Sequence, residues 1–294
     1  MISLSVAIFS FNRGAHLANC VDSFRRHAPW VQITVYDDGS DDPETLLVLK
    51  NLDLTVSTVA KNSDNRHGGL YGNMNCALKD ADAEWILFVQ DDMQLIRNIG
   101  QTELTVIADL FAEDERRAFV SPLFMKQRSM QRYCRRLAAH PHLRAYTKHR
   151  DADEAIAYFD VSIGHVSRLR RAKWVFGATE LLTMARAAKN FTEMPFLGDP
   201  FLFYCPEVPI FRNKGRSLVS KLANKVVGDK VKEFQDMQPD TSFAFLNRNL
   251  TTWPVAEDWL ILKNLNVRRP FVYNNINARW WLQVLYRLER MLRL

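Results

Sequence analysis

The chain has 294 residues, 47% hydrophobic and 24% charged, an ordinary folded composition that excludes disordered and fibrous classes. Its 39 Lys and Arg against 33 Asp and Glu leave a net charge of +6, which favours anionic partners: nucleotides, phospholipid surfaces or nucleic acid. Cys20, Cys76, Cys134 and Cys205 have no paired metal or redox spacing and read as reduced core thiols of a cytosolic protein.

The opening apolar run is only about seven residues long with no basic leader, short of a signal peptide. No stretch reaches the ~20 residues needed to span a bilayer. In the first hundred residues four apolar runs, Leu4 to Phe9, Ile33 to Tyr36, Leu54 to Val59 and Trp85 to Gln90, alternate with helical patterns. The first helix follows Asn12-Arg13-Gly14 and buries Leu17, Val21 and Phe24; a later one buries Leu70, Met74, Ala77 and Leu78. This rhythm predicts α/β architecture with a parallel sheet and right-handed crossovers.

Two of these strands run into acids: Tyr36 into Asp37-Asp38-Gly39-Ser40-Asp41-Asp42, and Gln90 into Asp91-Asp92. The first run is also an acceptable surface turn, since Asp, Gly and Ser are turn formers. Carboxyl ends of parallel strands are where open α/β sheets bind ligands, and hard oxygen ligands suit Mg²⁺ or Mn²⁺ carrying phosphates.

From Arg116 to Arg150 there are ten Lys or Arg, three His and no acid, read as a solvated face or a phosphate-facing wall. No nucleic-acid motif accompanies them, so nucleic acid is not an expected partner. The block Trp174 to Ile210, broken by Gly177, Gly198, Pro195, Pro200, Pro206 and Pro209, predicts loops and short strands. The end of the chain predicts an amphipathic helix, with Trp280, Trp281, Val284, Leu285, Leu288 and Leu292 on one face among Arg279, Arg287, Arg290 and Arg293. Such a helix docks on the protein's own core or lies on an anionic membrane surface.

Taken together, SVAIFSFNRGAHLANCVDSF, VYDDGSDD, HGGLYGNMNCAL and FVQDDM resemble the inverting family 2 glycosyltransferases of GT-A fold. The resemblance implies a Rossmann-like, mostly parallel sheet flanked by helices with a C-terminal helical extension. Residues 1–115 are then the nucleotide-sugar half, 116–218 the acceptor and catalytic half of the same domain, and 219–294 the extension. It implies nucleotide contacts from Ser10, Phe11, Arg13, Asp38, Asn65, His67, Gly69, Asn75, Gln90 and Asp91, and Mn²⁺ or Mg²⁺ on Asp92 with Asp91.

Two departures stand out: Gln90 takes the place of the first acid of the metal motif, and Met74 that of a basic residue before Asn75. The family's base follows a Gly-rich, aromatic block, which points to Glu207, with Asp258 and Asp199 as competitors and Glu180 beside the acceptor. Arg212, Lys214 and Arg216 are candidates for a lid on the diphosphate. The expected activity is inverting transfer of a sugar from a nucleoside diphosphate, UDP foremost, to a glycan or lipid-linked hydroxyl, at a cytoplasmic or membrane-peripheral location. The alternative is a non-catalytic nucleotide-sugar or membrane-surface module of the same fold.

Overall fold

The computed structural model describes residues 3–58, 69–149, 156–210, 217–228 and 230–292. Its strands in chain order are β1 (Leu4–Ser10), β2 (Gln32–Asp37), β3 (Thr55–Thr58), β4 (Trp85–Gln90), β5 (Met93–Leu95), β6 (Phe119–Val120), β7 (Leu137–His140), β8 (Ala145–Lys148), β9 (Ser162–His165), β10 (Phe196–Leu197) and β11 (Leu202–Tyr204). Six form the main sheet in the order β3-β2-β1-β4-β9-β6, parallel through β4 and antiparallel at β9 and β6. Two small sheets, β10-β8-β7 and β11-β5, lie beyond it.

Helices α1 (Gly14–His27), α2 (Pro43–Asn51), α3 (Gly69–Asp80) and α4 (Gln101–Glu113) follow β1, β2, β3 and β5. After them come α5 (Met130–Arg136), α6 (Val166–Arg171), α7 (Glu180–Asn190), α8 (Leu218–Val227), α9 (Pro239–Leu246), α10 (Ala256–Trp259) and α11 (Trp280–Leu292). Among the described residues no helix is long and apolar enough to cross a membrane.

Strand alternation sorts the core into two layers. Leu4, Val6 and Ile8 of β1, with Trp85, Leu87 and Val89 of β4, face Leu17, Val21 and Phe24 of α1 and Leu104, Ile107 and Leu110 of α4. Ala7, Phe9, Ile86 and Phe88 face the other way, onto Met74, Ala77 and Leu78 of α3. The predicted α/β sheet and its first four strands are therefore present, with Val59 outside the described residues.

Two expectations change. Residues 180–190, read as loop and strand, form α7, whose Thr179 side chain caps the Leu182 amide. Of the four cysteines only Cys20 and Cys205 are buried; Cys76 and Cys134 are exposed. From the C-terminal segment, Phe234, Phe245, Leu262 and Phe271 pack in the same core cluster as β1. Of its last helix, α11, Leu282 is the buried residue, against Val219 and Ala223 of α8.

Helix α1 starts against α2. The Gly14 amide donates to Thr45 Oγ1 at 2.9 Å, and a Cβ on Gly14 would lie 2.8 Å from Thr45 Cα, which is backbone and cannot rotate away. Gly14→Ala is expected to cost about 1–3 kcal/mol in denaturant unfolding.

On the opposite side, Tyr71 of α3 and Tyr158 both donate to Asp160, at 2.9 and 2.8 Å. Burial, with Glu180 adding to it, pushes the Asp160 carboxyl up to about 6. A carboxyl raised above its unfolded value stabilises the fold while protonated. That stability is full below about pH 4 and lost as pH rises through about 6. Asp160→Asn should remove on the order of 1–3 kcal/mol of this pH dependence between pH 4 and 7, read as the difference between the two proteins' melting profiles.

Candidate active site

The sheet register fixes where the site forms. Ser10 pairs with Asp37 and Phe9 with Gln90, so β1, β2 and β4 end at one level and their following loops leave together. A cavity of about 660 Å³ opens there. Ser10, Phe11, Arg13, Asp38 and Gln90 line it on the sheet side. Open α/β sheets bind ligands at this edge because loops diverge there without strand partners.

The acidic run after β2 divides its labour. Asp37 accepts from the Ser40 amide and hydroxyl, at 2.8 and 2.5 Å, which closes the turn. Asp42 caps α2 through the Thr45 amide at 2.9 Å. Asp41 accepts from Asn12 Nδ2 at 2.6 Å, while Asn12 Oδ1 accepts the amides of Asp41 and Asp42. Asn12 does this in the left-handed region, at φ +51°, which Asn tolerates better than most residues. Asp38 alone of the four lines the cavity, with one oxygen accepting the Gly69 amide at 3.1 Å.

Locking the β1–α1 loop to the β2–α2 loop aims Arg13 at the end of β4. Its Nη2 lies 2.5 Å from Asp91 Oδ1 and its Nη1 2.5 Å from Asp92 Oδ2. The second oxygen of Asp91 accepts the Phe11 amide at 3.2 Å, and the Tyr273 hydroxyl donates to Asp92 Oδ2 at 2.6 Å. Asp91 and Asp92 are 0% and 1% exposed, against 16% for Arg13. Burial works against the Arg13 charge, but the two carboxylates outweigh it and hold the guanidinium above its ordinary range. Burial and Asp92 together raise Tyr273, so its hydroxyl stays protonated and donates.

This arrangement does not fit the expectation that Asp92 and Asp91 hold Mn²⁺ or Mg²⁺. Neither carboxylate lines the cavity, both are engaged by a cation already, and the adjoining lining group is the neutral amide of Gln90. Among the described residues no cluster of three or more His, Cys, Asp or Glu has metal-binding geometry.

The second half of the chain closes the site from above. Tyr204 of β11 pairs with Met93, and the Cys205 amide donates to the Asp92 carbonyl at 2.7 Å. Two residues on, Glu207 is 4% exposed at φ +57°; it does not itself line the cavity, but its amide donates to the carbonyl of Val272, which does. Its Oε1 is buried with no hydrogen-bond partner among the described residues. A buried carboxylate oxygen in a strained backbone is a costly arrangement, of a kind that clusters at functional sites.

The competing carboxylates sit elsewhere. Asp199 is forked by Arg144, at 2.6 and 2.7 Å, and by Arg248 at 2.8 Å, as a structural crosslink. Asp258 points to solvent, and its neighbour Glu257 is the buried member of that pair. Glu257 accepts the Phe271 amide at 2.9 Å and the Gln127 amide at 3.2 Å, tying together the two segments that carry Tyr273 and Lys126. Glu180 is exposed.

Asn75, expected at the nucleotide, instead exchanges hydrogen bonds with the Phe176 backbone at 2.8 and 3.3 Å and does not line the cavity. Asn65, His67, Arg212, Lys214 and Arg216 lie outside the described residues.

Sequence reasoning missed Asn73, Lys126, Arg128 and Tyr273, all of which line the cavity. Asn73 is 1% exposed with neither amide atom hydrogen-bonded among the described residues, a polar side chain within an apolar helical stripe. Lys126, its ammonium 4.7 Å over the Tyr204 ring, and Arg128 belong to the acid-free stretch. Tyr273 carried no local signal, being 181 residues from the acid it binds.

The sequence model described as Glycosyl transferase family 2 matches residues 5–160, more than half of the chain. Solved structures that resemble it include Staphylococcus aureus TarS 1–349, at 18% identity and TM-score 0.44 over 85% of this chain and 72% of that one. The longer TarS structure gives 18% and 0.45, over 86% and 44% of the two chains. The mannosyltransferase PcManGT from Pyrobaculum calidifontis, solved with GDP-Man and Mn²⁺, gives 16% and 0.45, over 67% and 57%. The chain thus spans about half the length of these last two. A search of the curated proteins finds no match. With the family motifs at the carboxyl ends of β1, β2 and β4, and the family match running through all three, this chain belongs to the family 2 glycosyltransferases.

Proposed function

We propose that this glycosyltransferase moves a sugar from a nucleoside diphosphate, UDP foremost, to a hydroxyl of a glycan or lipid-linked acceptor, with inversion at the anomeric carbon. The observation that carries the reading is the composition of the cavity: one acid, Asp38, at its nucleoside side and three cations, Arg13, Lys126 and Arg128, for a diphosphate. Residues 1–115 form the nucleoside side of the donor site in this reading, Lys126 and Arg128 complete its diphosphate side, and the acceptor enters from the side of Tyr204 and the 271–274 segment.

In the transfer step the acceptor oxygen bonds to the anomeric carbon as the bond to the β-phosphate oxygen breaks. The electron pair leaves with the diphosphate, and the acceptor proton goes to a carboxylate. Glu207 is the assigned base, since Asp199 is consumed by Arg144 and Arg248 and Asp258 faces solvent. The negative charge that grows on the leaving oxygen is met by the lining cations, which act most strongly where water is excluded. General-base assistance is worth about 10²–10⁴ in rate. Glu207→Gln is therefore expected to lower kcat by about that factor while UDP binding, followed by calorimetry, stays within about threefold. Unchanged kcat would move the base elsewhere, and UDP binding without turnover of any sugar nucleotide would favour the non-catalytic reading.

Acceptor delivery at a lipid surface is supported by the C-terminal helices. Helix α8 exposes Leu218, Leu222 and Val226 at helical spacing, and α11 exposes Trp280, Val284, Leu288 and Met291, while the two pack on each other through Leu282. Lys221, Lys225, Arg287 and Arg290 lie on the same two helices, a charge pattern suited to anionic lipid. Sedimentation with vesicles containing anionic phospholipid should capture the protein at low salt, and Trp280→Ala with Leu288→Ala should reduce capture several-fold. Equal capture by neutral vesicles would count against the charge argument.

A further inference from the structure

We propose that Arg13 is the resident cation of this transferase. Its guanidinium occupies the ground between the Asp91-Asp92 pair and the donor diphosphate, so that donor binding and transfer proceed without a divalent metal. The inference rests on the nucleoside diphosphate reading above and deepens it.

A metal bound through this strand end needs carboxylate oxygens presented to the cavity with no cation in between. Here the reverse holds. Asp91 spends one oxygen on Arg13 and the other on the Phe11 amide, and the Asp92 oxygen nearest Arg13 also takes the Tyr273 hydroxyl. A divalent ion seated between the two acids would require Arg13 to leave carboxylates that are 0% and 1% exposed. Stripping one partner from such a buried set leaves uncompensated charge, a large penalty. A divalent ion that did not displace Arg13 would sit beside a fixed positive charge.

Arg13 is also built to serve the phosphate side. A guanidinium carries five N–H groups in a plane; Nη1 spends its two on Asp92 and Tyr273, while Nη2 faces Asp91 as an ion pair. The remaining N–H groups belong to a residue that lines the cavity, and fork geometry matches phosphate oxygens. Lys126 and Arg128 add two further charges from the acid-free stretch, with Glu257 holding the Gln127 amide between them. Gln90, in place of an acid, removes one negative charge that a metal would otherwise be needed to offset. Asp91 and Asp92 thus become the acids that hold and orient Arg13.

Calorimetric titration of UDP into the full chain, in chelator and then in Mn²⁺, tests this directly. Affinities within about threefold of each other, with sugar transfer equally insensitive to chelator, are expected. An affinity or a rate that collapses in chelator and returns with Mn²⁺ would overturn the inference while leaving the nucleotide reading intact. No UDP binding in either condition would overturn both.

Two variants sharpen the outcome. Arg13→Ala uncovers the acid pair, and UDP affinity should fall by about 10²-fold in chelator and recover in part with Mn²⁺ that the unmodified protein ignores. Should that variant fail to fold, Arg128→Ala at the cavity lining should weaken UDP about tenfold in chelator, with no recovery in Mn²⁺. A loss in Arg128→Ala that Mn²⁺ fully repairs would again place the metal, not the side chains, on the diphosphate.

Discussion

Two adjacent carboxylates buried at the end of β4 are the constraint around which this site is organised. Burying an ionised carboxylate costs several kcal/mol unless a counter-charge with good geometry offsets it. Arg13 supplies counter-charge to both acids at once, at 2.5 Å each, and the Tyr273 hydroxyl and the Phe11 amide add a hydrogen bond to each, while burial still pushes the Asp91 carboxyl up to about 7. An ammonium would satisfy one acid or the other as a point charge; the planar fork reaches both.

The fit depends on placing Arg13 accurately, and several local features act only through that placement. Gly14 admits close approach of α1 to Thr45, Asn12 adopts a left-handed turn, and the acids at 41 and 42 tie that turn down. The DDGSDD run therefore looks like a ligand motif in sequence, yet in the fold three of its four acids are structural and one faces the cavity. The C-terminal half contributes the other wall by the same logic. Glu257, buried between two segments, sets Lys126 and Tyr273 relative to each other without lining the cavity itself.

Much of the fold was legible because it follows from periodicity. The continuous apolar runs of β1 and β4, buried on both faces, and the i, i+4, i+7 stripe of Leu17, Val21 and Phe24 are local patterns, and strands alternating with helices imply a parallel sheet. Helix α7 was hidden because Gly177, Gly198 and the prolines that flank it were read as breaking the whole block rather than bounding an eleven-residue helix. Motif position alone does not separate the three candidate carboxylates, and burial does: Glu207 is enclosed beside the cavity wall, Asp258 is exposed, and Asp199 belongs to two arginines.

What the sequence alone determined was the architecture and the strand ends at which the cavity opens, since both are written in short-range patterns: apolar runs of strand length that end in acids and glycines. What only the tertiary structure decided was the job of each acid. The charge state and availability of Asp91 and Asp92 depend on Arg13, 79 residues away from Asp92 along the chain, and on Tyr273, 181 residues away. Counter-charge and desolvation act through space, over a few ångströms between residues whose separation in sequence carries no trace of the contact.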